Sequence, residues 1–132
     1  MGCAAFSTLA QGLLSDKFVD GRLPADSRVT NKETLFSRAL LTPEVLSKLG
    51  GLAEIAKERG QTLAQLSLAW ALRDESVSTV VIGARSLAQI KENVKALDRL
   101  DFSSQELKKI DQYATDIEGV NLWPPNCQTS QV

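Results

Sequence analysis

The sequence predicts an α/β fold on a parallel sheet, and a sheet that is incomplete. Short apolar runs alternate with longer amphipathic segments, the pattern of strand–helix–strand units. Only two of those runs are credible strands, near residues 2–9 and 77–82. A parallel pair buries both faces only when further strands and helices flank it. A complete (β/α)8 barrel takes roughly 250 residues, whereas the chain has 132.

Residues Gly2 to Leu9 open the chain as a short strand around the apolar run Cys3, Ala4, Ala5 and Phe6. Small and polar residues follow, and Gly12 closes the segment. Residues 16–41 have weak periodicity and many turn formers, among them Gly21, Pro24, Asp26, Ser27 and Asn31. They read as a long loop, and loops of this length are usually functional or disordered. The loop carries Lys17, Arg22, Arg28, Lys32 and Arg38, which suit either a cover over an anion or a solvated surface.

Thr42-Pro43-Glu44 starts a helix, with Thr as N-cap, Pro in the first turn and an acid beside it. Leu46, Leu49, Ala53 and Ala56 form its stripe to about Arg59. Gly50 and Gly51 weaken its middle, and Gly60 ends it in the C′ position. Thr62 caps a second helix expected to reach Asp74. That helix is apolar on most sides and belongs against the sheet, with Trp70 in the core. The second strand, 77–82, is followed by a helix from Ser86 to about Asp98. Ser103 and Glu106 form a Ser-x-x-Glu capping box for a last helix, with Leu107, Ile110 and Ala114 on one face. Residues 118–132 are polar and aperiodic, with Pro124-Pro125.

Composition excludes several function classes. Fifteen Lys+Arg balance 16 Asp+Glu for a net charge of −1, and no basic stripe suggests nucleic acid. No apolar run reaches membrane-span length, and no leader pattern opens the chain. Cys3 and Cys127 lack metal-ligand spacing, which fits a reduced, cytoplasmic compartment. Histidine is absent and Tyr113 is the only tyrosine, so the commonest acid–base residue is missing.

The most informative run is Val80 to Asn93. Val77, Val80, Val81 and Ile82 favour a buried strand. Gly83 permits a tight turn and close approach of a ligand. Ser86 and Gln89 read as a Ser-x-x-Gln capping box. A strand end that feeds a helix N-terminus is a natural anion site, because free N–H groups and the helix dipole point at it. Arg85 adds a positive charge there. Leu87, Ile90, Val94 and Leu97 form an apolar face for packing on a barrel or sheet.

Phe6-Ser7-Thr8-Leu9-Ala10-Gln11-Gly12-Leu13-Leu14 with Lys17 resembles the seventh strand and following loop of the aldo-keto reductases. Val81-Ile82-Gly83-Ala84-Arg85-Ser86 with Gln89, Glu92 and Asn93 resembles their eighth strand and its helix, and Gly60 through Trp70 the helix between. The bacterial glyceraldehyde-phosphate-type reductases and potassium-channel β subunits look most similar. The resemblance implies the C-terminal portion of a (β/α)8 TIM barrel, two parallel strands with several helices, over residues 1–123, with 124–132 as a flexible tail. It implies NADP(H) as cofactor and a small carbonyl compound as substrate of the complete protein. Ser7, Leu9 and Gly12 would line pyrophosphate and ribose, and Lys17 would reach the phosphates. Arg28, Arg85 and Gln89 would lie near the 2′-phosphate, with Gly83 at the turn, and Glu92 and Asn93 would bond the adenine. The family's catalytic Asp, Tyr, Lys and His lie on earlier strands, so this segment is expected to be inactive alone. Family members usually carry Ser-Pro where this chain has Ser7-Thr8, which restores an N–H and loosens φ. The alternative is a non-catalytic nucleotide-binding or channel-subunit-like module, with self-association through exposed strand edges.

Overall fold

The computed structural model describes residues 1–18 and 41–117. The elements are β1 (Cys3–Phe6), α1 (Pro43–Glu58), α2 (Leu63–Ala71), β2 (Val77–Val81), α3 (Leu87–Val94) and α4 (Ser104–Tyr113). Short 3-10 turns lie at Ala10–Gly12, Asp16–Phe18 and Lys95–Asp98. Most of the expected loop, with Arg28, and the expected tail at 124–132 lie outside the described residues.

The expected order holds, and β1 pairs with β2 in parallel. Ala4 faces Thr79, Ala5 faces Val80 and Phe6 faces Val81, with an irregularity between Cys3 and Ala4. The two strands therefore end side by side. Their connection runs through α1 and α2, the helical crossover that a parallel pair requires.

Local chemistry sets the helix ends. Thr42 Oγ1 accepts the Val45 N–H at 3.3 Å, with Pro43 in the first turn. Gly60, at φ +68°, ends α1. Its N–H reaches Lys57 O at 2.9 Å and the Gln61 N–H reaches Ala56 O at 2.9 Å, a Schellman closure. In α2, Thr62 Oγ1 accepts the Gln65 N–H at 3.2 Å while Gln65 Oε1 accepts the Thr62 N–H at 3.0 Å. Ser103 and Glu106 make the same reciprocal pair at α4, as expected. Helix α2 ends at Ala71, short of Asp74. Asp74 instead accepts from Ser76 N at 2.9 Å and Ser76 Oγ at 2.6 Å, an Asx-type turn that feeds β2 and competes with helix. The expected helix to Asp98 is α3 followed by a tighter turn at Lys95–Asp98. Ala114 is the exposed C-cap of α4 rather than part of its buried stripe.

The core is helical. Val45, Leu49, Ile55 and Ala56 of α1 meet Leu63 and Leu66 of α2, Ile110 of α4, and Leu13 and Phe18 after β1. Trp70 and Tyr113 pack against this cluster as half-buried aromatics. Tyr113 lies over Gly51, where an added Cβ would fall on its ring.

One buried ion group ties the helices together. The Arg59 side chain is 1% exposed and binds Glu106 Oε1 at 2.8 Å. It also donates to Gln61 Oε1 at 2.8 Å, Asp101 O at 3.0 Å and Arg99 O at 3.2 Å. Its guanidinium stacks 3.9 Å from the Phe102 ring centre.

The expectation of a buried strand and a packed α3 face is not met among the described residues. Phe6 is 67% and Val81 60% exposed; Leu87, Ile90, Val94 and Leu97 are 46–66% exposed. The reason is geometric: the core lies among α1, α2 and α4, and no described element covers the other side of the strand pair or the apolar face of α3. No helix among the described residues is long and apolar enough to cross a membrane.

Candidate functional site

Where β1 and β2 end together, the chain leaves each strand into one wall of a cleft. After β1 the backbone is unusual. Ser7, Ala10 and Gln11 hold φ of +57°, +47° and +58°, and Gly12 holds +98°. Positive φ is uncommon outside glycine, and such strain clusters at ligand sites. Hydrogen bonds fix the turn: the Ala10 N–H reaches Ser7 O at 2.8 Å, the Gly12 N–H reaches Leu9 O at 2.8 Å, and Ser15 Oγ donates to Gly12 O at 2.6 Å. Asp16 Oδ1 then accepts the Leu63 N–H at 3.1 Å, at the start of α2.

After β2 the chain passes through Ile82, Gly83, Ala84 and Arg85 into α3. Ser86 Oγ accepts the Gln89 N–H at 3.2 Å, so the N-cap is where it was expected. The expected capping box is corrected: Gln89 Oε1 accepts the Arg85 N–H at 2.8 Å instead of closing back on Ser86. Arg85 precedes the cap, so the amide braces the strand–helix turn itself. Behind this wall, Gln65 Nε2 donates to Glu92 O at 2.9 Å.

The cleft between the walls measures about 530 Å³, a small-molecule size. Ser7, Leu9, Gly12 and Lys17 line one side, and Gly83, Arg85, Gln89, Glu92 and Asn93 the other. Every sequence-predicted site residue except Arg28 is thus brought to one place, and Arg28 lies outside the described residues. Thr8, Gln11, Ser15, Asp16 and Phe18 also line the cleft but were not singled out as site residues. The Asp16 contact joins residues 47 positions apart, so no local pattern announces it.

The lining combines features that suit an anionic, hydrogen-bonding ligand. Lys17 and Arg85 bring cationic groups from opposite walls. The N-terminal turn of α3 contributes its dipole. An added Cβ on Gly12 or Gly83 meets nothing within 4 Å, so backbone faces open space at both. Thr8 Oγ1 is buried and lacks a hydrogen-bond partner, a polar atom left over at the cleft wall. Among the described residues no group of three His, Cys, Asp or Glu side chains could hold a metal ion.

A profile of the aldo/keto reductase family matches residues 1–115. The chain is 46% identical over 126 residues to L-glyceraldehyde 3-phosphate reductase of Escherichia coli K12, covering 93% of this chain and 36% of that protein. It is 41% identical over 109 residues to a probable voltage-gated potassium channel subunit beta of Oryza sativa subsp. japonica, covering 81% and 33%. A protein of the same description from Arabidopsis thaliana is 44% identical over 100 residues, covering 74% and 30%. The chain spans about a third of the length of these curated relatives.

Proposed function

The chain belongs to the aldo/keto reductase family, and from that premise we propose that it forms the C-terminal part of an NADP(H)-dependent carbonyl reductase. The cleft would hold the adenosine and pyrophosphate half of the cofactor. The observation that carries this reading is the convergence of two distant segments, each with a cation, on one cleft with exposed backbone at Gly12 and Gly83. The residues fit the group. Lys17 would meet the pyrophosphate, with Ser7, Leu9 and Gly12 beside it. Arg85, Gln89 and Arg28 would meet the 2′-phosphate, and Glu92 and Asn93 the adenine. The lone hydroxyl of Thr8 would find a partner there.

When bound, the cofactor supplies hydride to a carbonyl carbon. The carbonyl oxygen then needs a proton donor, and these 132 residues contain no histidine. Tyr113 packs on the helical core and does not line the cleft. We therefore assign these residues cofactor binding, with turnover depending on the strands of a complete barrel. The free, exposed thiol of Cys3 suits the cytoplasm.

Calorimetric titration of the chain, with circular dichroism to verify folding, tests the reading. NADPH should saturate the site and bind more tightly than NADH. Arg85→Ala should weaken NADPH by about tenfold or more, the worth of one hydrogen bond to a charged group. A folded chain that shows no saturation would overturn the proposal. A second reading, a non-catalytic nucleotide-binding module that docks a partner, is favoured by the exposed apolar face of α3. It predicts NADPH binding without carbonyl reduction even when the chain is joined to the rest of a barrel.

A further inference from the structure

We infer that the first turn of α2 sets the width of the cleft, with Asp16 and Gln65 as positioning residues. The inference rests on the reading of the cleft as a cofactor half-site. The walls come from segments far apart in sequence, yet each is tied to residues 62–65.

On one side Asp16 Oδ1 accepts the Leu63 N–H at 3.1 Å. That amide is one of the helix-start donors with no intrahelical partner, and a carboxylate is favoured at the positive end of the dipole. Asp16 is followed by Lys17, which lines the cleft, and by Phe18, which is 4% exposed in the core. The latch and the buried ring therefore bracket the lysine.

On the other side Gln65 is 7% exposed. Its Oε1 accepts the Thr62 N–H at 3.0 Å, which leaves Nε2 to donate to Glu92 O at 2.9 Å. Both ends of the amide are committed, so α3 is keyed to the α2 cap at the residue pair, Glu92 and Asn93, that lines the cleft. Leu63 and Gln65 are two residues apart, about 3 Å along the axis. Leu63 is fully buried and anchors the turn. Both walls thus take their position from one rigid turn, and the spacing is set before a ligand arrives. Preorganisation of this kind raises affinity without adding a contact.

The test uses calorimetry with NADPH and with 2′-AMP, which lacks the pyrophosphate, on the 132-residue chain. Loss of one hydrogen bond predicts about a three- to tenfold effect. Asp16→Ala should weaken NADPH by that factor and leave 2′-AMP unchanged, and Asp16→Asn, which keeps the acceptor, should restore binding. Gln65→Met should weaken both probes alike. Gln65→Glu, which keeps the Thr62 bond and lacks the amide donor, serves where the Met variant does not fold. Hydrogen exchange without ligand provides the independent arm. Asp16→Ala should speed exchange in residues 13–18, and the Gln65 variants in residues 87–94. Unchanged exchange in both walls overturns the inference, as do unchanged affinities in variants whose exchange rises. A wild-type chain that binds neither probe overturns the cofactor reading, while the exchange arm still decides whether the turn holds the walls.

Discussion

Two adjacent glycines in the middle of α1 should respond to alanine with opposite signs. Both lie inside a helix of 16 residues, where glycine costs about 0.8–1.0 kcal/mol relative to alanine. At Gly50 an added Cβ meets nothing within 4 Å, so Gly50→Ala should stabilise by about 0.8 kcal/mol, close to the full propensity gain. At Gly51 the new Cβ falls on Cε1, Cζ and Cδ1 of Tyr113. The ring cannot yield freely, because it packs on the core between α1 and α4. Overpacking of this kind costs about 1–3 kcal/mol, which outweighs the propensity gain and leaves Gly51→Ala destabilising by about 1 kcal/mol. The pair should therefore differ by about 2 kcal/mol. Urea unfolding followed by helical circular dichroism measures the difference as a shift of midpoint at constant slope. Adding Tyr113→Leu to Gly51→Ala should recover most of the loss relative to Tyr113→Leu alone. Equal stabilisation by the two alanines would mean that the Tyr113 ring does not occupy the slot above Gly51.

The Arg59 group supports two further expectations. Arg59→Ala should destabilise by about 3 kcal/mol, because it removes the buried cation from Glu106, which keeps only the half-exposed Arg99 as ion partner at 3.2 Å, and takes a donor from the Asp101 and Arg99 carbonyls; chemical denaturation reads this, and a loss under 1 kcal/mol, the surface-pair scale, would contradict it. The Glu106 carboxyl is held below the ordinary glutamate range, first by the Ser103 backbone N–H and then by Arg59, against an opposing desolvation cost. A depressed folded pKa means that the unfolded chain binds more protons in this window, so stability rises with pH there. The contribution is present above the unfolded value and is lost as pH falls through the folded one. A stability–pH series should show that loss, and Glu106→Gln should flatten it; an unchanged slope would count against the assignment.

Much of this architecture is legible in the sequence because it is local. Thr42, Thr62, Ser86 and Ser103 all cap helices where their residue types and spacings indicate, and Gly60 takes the left-handed end position. The parallel pairing follows from strand and helix order. The residues of the cleft came from matching motifs on both strand ends, and the geometry brings those motifs together. What could not be read is non-local. Leu87, Ile90, Val94 and Leu97 mark an apolar face, but periodicity does not say whether anything covers it. Gln89 has the spacing of a capping box, yet its amide found the Arg85 N–H one residue earlier, a choice made by the turn. Arg59 looked like the end of a helical stripe; its partners Arg99, Asp101 and Glu106 lie forty or more residues on. The Asp16 latch is hidden for the same reason.

The register of β1 against β2 also dictates a timetable. Ala4 to Phe6 cannot pair until Thr79 to Val81 exist, and both α1 and α2 are synthesised in between. At about 5–20 residues per second, that interval is roughly 4–15 s of translation. Helices form in about a microsecond, so α1 and α2 have ample time to meet before β1 can pair. During the wait the nascent Cys-Ala-Ala-Phe run has no charge and no proline to deter a neighbouring strand. β1 is thus made before α1 and α2 but secured only after them, and its apolar run is open to mispairing throughout that interval.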